Sequence, residues 1–124
     1  MNSAYKNKGL IERLGFACRG LIQCWREENS FRFQTLAAFG VIIILLILRP
    51  PLIWAALLIL VSSLVLCAEL FNSALERLVS KLSSTPSPEI KAVKDMAAGA
   101  VLVLASTAVV LGCFLLFFML SETA

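Results

Sequence analysis

The sequence contains no histidine, and its four cysteines, Cys18, Cys24, Cys67 and Cys113, include no C-x-x-C pair. A structural zinc site, which draws on closely spaced Cys and His ligands, is therefore not expected. Charge is also scarce. Charged residues make up 15% of the 124-residue chain, against about 25% in an average soluble domain. There is no G-x-x-x-x-G-K-[ST] run and no glycine-rich loop, because the six glycines lie apart at positions 9, 15, 20, 40, 99 and 112. A kinase of soluble design is thereby excluded. The first 30 residues hold no compact apolar core followed by a small-residue cleavage site. No removable signal is expected, and the whole chain reads as the mature protein. Internal repeats and low-complexity tracts are absent as well.

What is present is hydrocarbon. The chain is 60% hydrophobic, with a mean hydropathy of +0.90, and its length suits one domain of an all-α membrane protein. Three apolar segments stand out. The first runs from Phe31 to Leu48, although only Leu36 to Leu48 is strictly apolar. A span needs about 20 residues, so Arg32 and Gln34 are expected at headgroup level. The second segment runs from Leu52 to Ala68, and the third from Met96 to Leu120. Cys67 and Cys113 sit inside these runs, where cysteine behaves as a small hydrophobe. Arg49-Pro50-Pro51 separates the first two and predicts a tight hairpin turn. Helices are expected over about 31–48, 52–79 and 93–120, the last two extending beyond the membrane.

Basic residues fix a direction. Lys6, Lys8, Arg13, Arg19, Arg26 and Arg32 precede or open the first span, and Arg77, Lys81, Lys91 and Lys94 lie between the second and third. Only Arg49 falls on the other side. The positive-inside rule then places the N-terminus in the cytoplasm and the C-terminus outside. Ahead of the first span, Leu10, Leu14, Ala17, Leu21 and Trp25 recur at helical spacing, with Arg13, Arg19, Gln23 and Arg26 mostly off that stripe. This pattern predicts an amphipathic helix over about 10–28, lying in the membrane interface or packed on the bundle. The small residues opening the third span, Met96 to Ala100, permit close approach of another helix, a lipid or a nucleotide. Ser83 to Glu89, rich in Ser and Pro, reads as a loop.

The end of the second span is polar. Glu69, Asn72, Ser73 and Glu76 are spaced i, i+3, i+4 and i+7, with Ser80 continuing the line. They share one face of a helix, opposite Leu70, Phe71, Ala74, Leu75 and Leu78. Glu76 could simply have reached water. Glu69 follows the apolar run directly, where an ionisable group costs a few kcal/mol unless paired, solvated or ligated. Glu27, Glu28, Lys94 and Asp95 fall at the same end of the spans. Carboxylates, an amide and an ammonium at one level suit phosphoryl transfer. Mg²⁺ takes carboxylate and phosphate oxygens, a lysine offsets phosphate charge, and a hydroxyl nucleophile needs a carboxylate base. The set alone is not specific, since proton-coupled transporters also use membrane carboxylates.

The run AELFNSALERLV, followed by KAVKDMAAGAVLV, resembles the prokaryotic integral-membrane diacylglycerol kinases and the similar undecaprenol kinases. Their motif is E-x-x-N-[ST]-A-[IV]-E-x-x-x-D, then K-D and a small-residue run. GFACRGL and WREENSFR are similar to the family's surface helix and to the acidic residue before its first span. The likeness covers roughly residues 10 to 120. It implies a surface helix and three transmembrane helices assembled as a homotrimer, with active sites shared between subunits at the cytoplasmic face of the bacterial inner membrane. It also implies ATP as donor, Mg²⁺ as cofactor, a membrane lipid alcohol as acceptor and no nucleic-acid partner. By resemblance Glu69 is the catalytic base, and Glu28 and Glu76 hold the metal on the ATP phosphates. Asn72 supports that site, Lys94 and Asp95 contact nucleotide, and Phe16 lies close to it. Trp25, Arg32, Ala98 and Glu69 are the residues on the lipid side.

The chain departs from the pattern in several places. Leu75 replaces Ile or Val. Ser80 replaces the motif Asp, which belongs to the nucleotide side. The loop from Ser83 to Ile90 lacks a usual His. Gly9 and Glu12 stand where some members are basic, leaving Arg13 or Arg19 as the substitute contact to phosphate. Diacylglycerol is the expected acceptor and undecaprenol the alternative. A small proton-coupled transporter with Glu69 as proton carrier, or a structural subunit without chemistry, are the competing classes.

Overall fold

The computed structural model describes residues 8–123, so Lys6 of the charge count lies outside the described residues. Four helices follow one another: α1 (Leu10–Glu27), α2 (Asn29–Leu48), α3 (Leu52–Leu82) and α4 (Pro88–Thr123). The last three are long and apolar enough to cross a membrane.

α1 is amphipathic but barely packed. Of its residues only Cys24 is buried. Leu10 and Ile11 are 73% and 86% exposed, and Leu14, Leu21, Ile22 and Trp25 are exposed too. The predicted apolar stripe is thus left uncovered by the protein. Within a single chain that stripe is open to lipid or to another copy. A single extended residue, Glu28 (φ −112°, ψ 111°), joins α1 to α2. It ends one helix and starts the next: its N–H donates to the Cys24 carbonyl at 2.9 Å, and its carbonyl accepts from the Arg32 N–H at 3.2 Å.

α2 and α3 form a hairpin around residues 49–51. Arg49 ends α2 in the left-handed conformation (φ 46°, ψ 53°), its N–H donating to the Leu45 carbonyl at 2.9 Å. Pro51 then precedes α3, where its missing N–H is harmless. A left-handed residue with a Cβ costs about 1 kcal/mol relative to glycine. Arg49→Gly should therefore raise stability by about that amount, read as a higher Tm of the detergent-solubilised protein. A lower Tm would show that the Arg49 side chain contributes more than its backbone strain removes.

α3 has 31 residues, about 46 Å of helix, against a hydrocarbon core of about 30 Å. Its buried residues are Leu58, Val61, Val65, Glu69 and Ser73, a single stripe at helical spacing. The stripe is apolar near the hairpin and polar at its other end. Near the hairpin Leu45, Leu58, Val61 and Leu115 form the core, edged by Val41, Ala55, Ala108 and Leu111. The Trp54 and Phe118 rings close it, with centroids 5.7 Å apart. Within a bilayer, where lipid is as apolar as these side chains, what holds the cluster is van der Waals packing.

α4 starts at Pro88, five residues before the start expected at about 93, and its 36 residues pack chiefly on α3. The reason is local. The Ser87 hydroxyl accepts from the Ile90 N–H at 3.2 Å, a serine N-cap, and Pro88 occupies the first helical position. The connecting loop therefore shrinks to 83–87. In the polar first turns, Ser87 and the local backbone N–H hold the Glu89 carboxyl below the usual carboxylate range, the backbone bond contributing most. Beyond α1, large apolar side chains of α2 and α4, including Phe33, Leu36, Phe39, Phe114 and Phe117, face outward. Cys67 and Cys113 are exposed with them.

Candidate functional site

The end of the bundle remote from the hairpin carries the polar groups. The α1–α2 junction lies across α3 there. The Cys24 thiol donates to the Ser73 hydroxyl at 3.6 Å, and the Ser30 hydroxyl donates to Glu69 Oε2 at 3.0 Å. Arg77 pairs with Glu27, both half-exposed. Three rungs thus tie the junction to α3 at Glu69, Ser73 and Arg77, one turn apart. Glu69 is only 4% exposed. A buried carboxylate is tolerable when it is hydrogen-bonded, and a bond to a charged acceptor contributes roughly 1.5–3 kcal/mol.

The neighbouring strip of α3 carries Asn72, Glu76 and Ser80. Asn72 Nδ2 donates to Glu76 Oε1 at 3.5 Å, while Asn72 Oδ1 is buried with no hydrogen-bond partner among the described residues. One helical turn further, Lys94 Nζ on α4 donates to the Ser80 hydroxyl at 3.3 Å. Asp95 is exposed and pairs with Lys91 at 2.9 Å on its own helix. That carboxylate holds the Lys91 ammonium above its ordinary pKa. Lys94 is half-buried and, among the described residues, has no carboxylate partner.

Two grooves open beside these groups. One of about 490 Å³ lies between α1 and α3 and is lined by Gly20, Gln23, Cys24, Glu28, Ser73 and Arg77, among others. The other, about 560 Å³, lies between the end of α3, the 83–87 loop and the start of α4, and includes Ser80, Ser87, Lys91, Lys94 and Asp95. Glu28 therefore sits in the first groove, and Lys94 and Asp95 in the second. No three Cys, Asp or Glu side chains converge as a metal cage among the described residues.

The other candidates are peripheral. Phe16 is half-buried on α1 with the Arg19 guanidinium 4.7 Å from its ring centroid, within cation–π range. Arg32 bonds the Asn29 side-chain oxygen, Trp25 is half-exposed and Ala98 is exposed. Sequence reasoning missed Ser30, which carries no helical periodicity with Glu69. It also missed the Glu27–Arg77 pair, whose only signal is opposite charge at two ends of an unknown fold.

Three apolar spans, an amphipathic N-terminal helix and a polar cluster at one end describe a multi-pass membrane protein. The sequence profile of "Prokaryotic diacylglycerol kinase" matches residues 15–116, most of the chain. The chain is 33% identical to the diacylglycerol kinase of Escherichia coli (strain K12) over 107 residues, 86% of this chain and 88% of that one. It is 37% identical to the diacylglycerol kinase of Synechocystis sp. over 109 residues, 86% of this chain and 62% of that one. With the undecaprenol kinase of Bacillus subtilis it shares 35% over 97 residues, 77% and 78% of the two chains. The chain belongs to the prokaryotic diacylglycerol kinase family and is accordingly an enzyme of the lipid-kinase class.

Proposed function

We propose that this protein transfers the γ-phosphoryl group of ATP to the hydroxyl of diacylglycerol, giving phosphatidic acid at the cytoplasmic face of the bacterial inner membrane. The observation that carries this reading is Glu69, a buried carboxylate continuing the apolar stripe of α3. That position is the depth at which a lipid hydroxyl is offered to a group drawn from water.

In this reading the Glu69 carboxylate takes the hydroxyl proton as the lipid oxygen bonds to the γ-phosphorus. The bond from that phosphorus to the bridging oxygen breaks, and ADP leaves with the electron pair. Lys94, held by a neutral hydroxyl and with no carboxylate partner among the described residues, offers its ammonium to phosphate oxygens. Asn72 steadies Glu76. Phe16 and Asp95 lie on the nucleotide side, with Arg19 more suited than Arg13 to assist there because it already covers Phe16. Trp25, Arg32 and Ala98 lie on the lipid side.

Magnesium fits the donor set. It needs only one or two carboxylates when phosphates and waters complete its shell, and the unpartnered Asn72 Oδ1 beside Glu76 is a further hard oxygen. Glu28 and Glu76 would hold it, and it would neutralise charge on the ATP phosphates. The separation of Glu28 from Lys94 and Asp95 into two grooves supports an oligomer, the homotrimer that the family resemblance implies, in which a neighbouring copy completes each site. The uncovered apolar sides of α2 and α4 are the surfaces available for that packing.

The test is transfer of label from γ-labelled ATP by the purified protein in lipid vesicles, with diacylglycerol and undecaprenol supplied separately. Label should enter diacylglycerol faster. Label in undecaprenol alone would move the acceptor to the polyprenol, a reading favoured by the similarity to the Bacillus subtilis undecaprenol kinase. Label in neither would end the lipid-kinase reading for this chain.

A further inference from the structure

The buried base has a neighbour that no sequence pattern indicates. Ser30 is the second residue of α2, and its hydroxyl donates to Glu69 Oε2 at 3.0 Å. Among the described residues it is the only side-chain donor to that carboxylate. We infer that Ser30 is a positioning residue for Glu69: it anchors one carboxylate oxygen so that the other, Oε1, faces the acceptor hydroxyl. The inference rests on the reading of Glu69 as the base.

The geometry of the junction gives the contact its precision. Glu28 breaks the chain between α1 and α2, so residues on both helices can face α3. Cys24 reaches Ser73 before the break, and Ser30 reaches Glu69 after it. Phe31, buried at the adjacent position, seats the first turn of α2. The Thr35 hydroxyl, one turn on, bonds the Phe31 carbonyl at 2.8 Å. Ser30 thus projects from a fixed backbone and not from a loop.

A carboxylate on a glutamate side chain turns freely about its last bond, and productive proton transfer needs the accepting oxygen held in place. A hydrogen bond to one oxygen removes that freedom and fixes the direction in which the other oxygen points. The same short segment carries Glu28, two residues earlier. Movement of the nucleotide side would therefore be felt at the base.

The experiment compares Ser30→Ala and Ser30→Thr with the unsubstituted protein in mixed vesicles, measuring kcat and the KM for MgATP. Ser30→Ala should lower kcat about tenfold, the loss of one bond to a charged group, with the KM for MgATP within about twofold. Ser30→Thr, which keeps the hydroxyl, should restore kcat to within about threefold. An unchanged kcat in Ser30→Ala overturns the inference. So does a lowered kcat that threonine fails to restore, which assigns Ser30 to packing. Melting curves of both variants identify any loss caused by unfolding. Glu69→Gln is run alongside: if it keeps full activity, the reading of Glu69 fails independently of the Ser30 contact.

Discussion

Replacing Glu69 with Gln should lower turnover by about 10³-fold while leaving the affinity for MgATP within about twofold. General-base catalysis of this kind contributes roughly 10²–10⁴ in rate, and an amide cannot take the proton. The fold should survive. Gln keeps the shape of Glu, and the Ser30 hydroxyl at 3.0 Å can donate to the amide oxygen as it does to the carboxylate. Removing a buried charge also removes a desolvation cost. The loss should therefore appear in kcat and not in Tm. Nucleotide binding should be spared because the groups assigned to ATP, Glu28, Glu76 and Lys94, make no bond to Glu69 among the described residues and act from neighbouring strips and grooves. A Glu69→Gln protein that bound MgATP poorly and kept its kcat would reverse the assignment.

Glu76→Gln should fail differently. Its KM for MgATP should rise by about 10- to 100-fold, and more free Mg²⁺ should be needed for half-maximal rate, since removal of an anionic ligand weakens a hard cation's site. Asn72 Nδ2 bonds Glu76 Oε1 at 3.5 Å, and the glutamine oxygen can still accept that bond. The side chain therefore stays in place and only its charge is lost. Rates measured across a Mg²⁺ series at fixed ATP check this. An unchanged Mg²⁺ requirement, or residual rates and nucleotide affinities equal to those of Glu69→Gln, would remove the distinction between base and metal ligand.

The shared polar face was legible in the sequence because it is written along one helix, whereas the separate roles of Glu69 and Glu76 came from the family resemblance. The spacing of Glu69, Asn72 and Glu76 needs nothing beyond helical geometry, and the three apolar runs with their Pro-Pro turn need nothing beyond composition. Distant pairings were not legible. Ser30 meets Glu69 across 39 positions, and Lys94 meets Ser80 through a loop whose length depended on where α4 begins. The Ser and Pro residues of that loop read as irregular chain, yet Ser87 and Pro88 are the residues that start a helix. The amphipathic stripe of α1 was also plain, but periodicity could not tell lipid from protein as the cover for its apolar side. The exposure of Leu10, Ile11 and Leu14 excludes only the chain's own helices as that cover.

The single-residue joint at Glu28 has a further meaning as a spacer. An α-helix turns by about 100° per residue, so the joint sets the rotational phase between α1 and α2. One residue more or fewer would swing Cys24 away from Ser73 and Glu27 away from Arg77, while Ser30 stayed on Glu69. Glu28 is at once a candidate ligand and the index mark by which the surface helix is aligned to the membrane bundle.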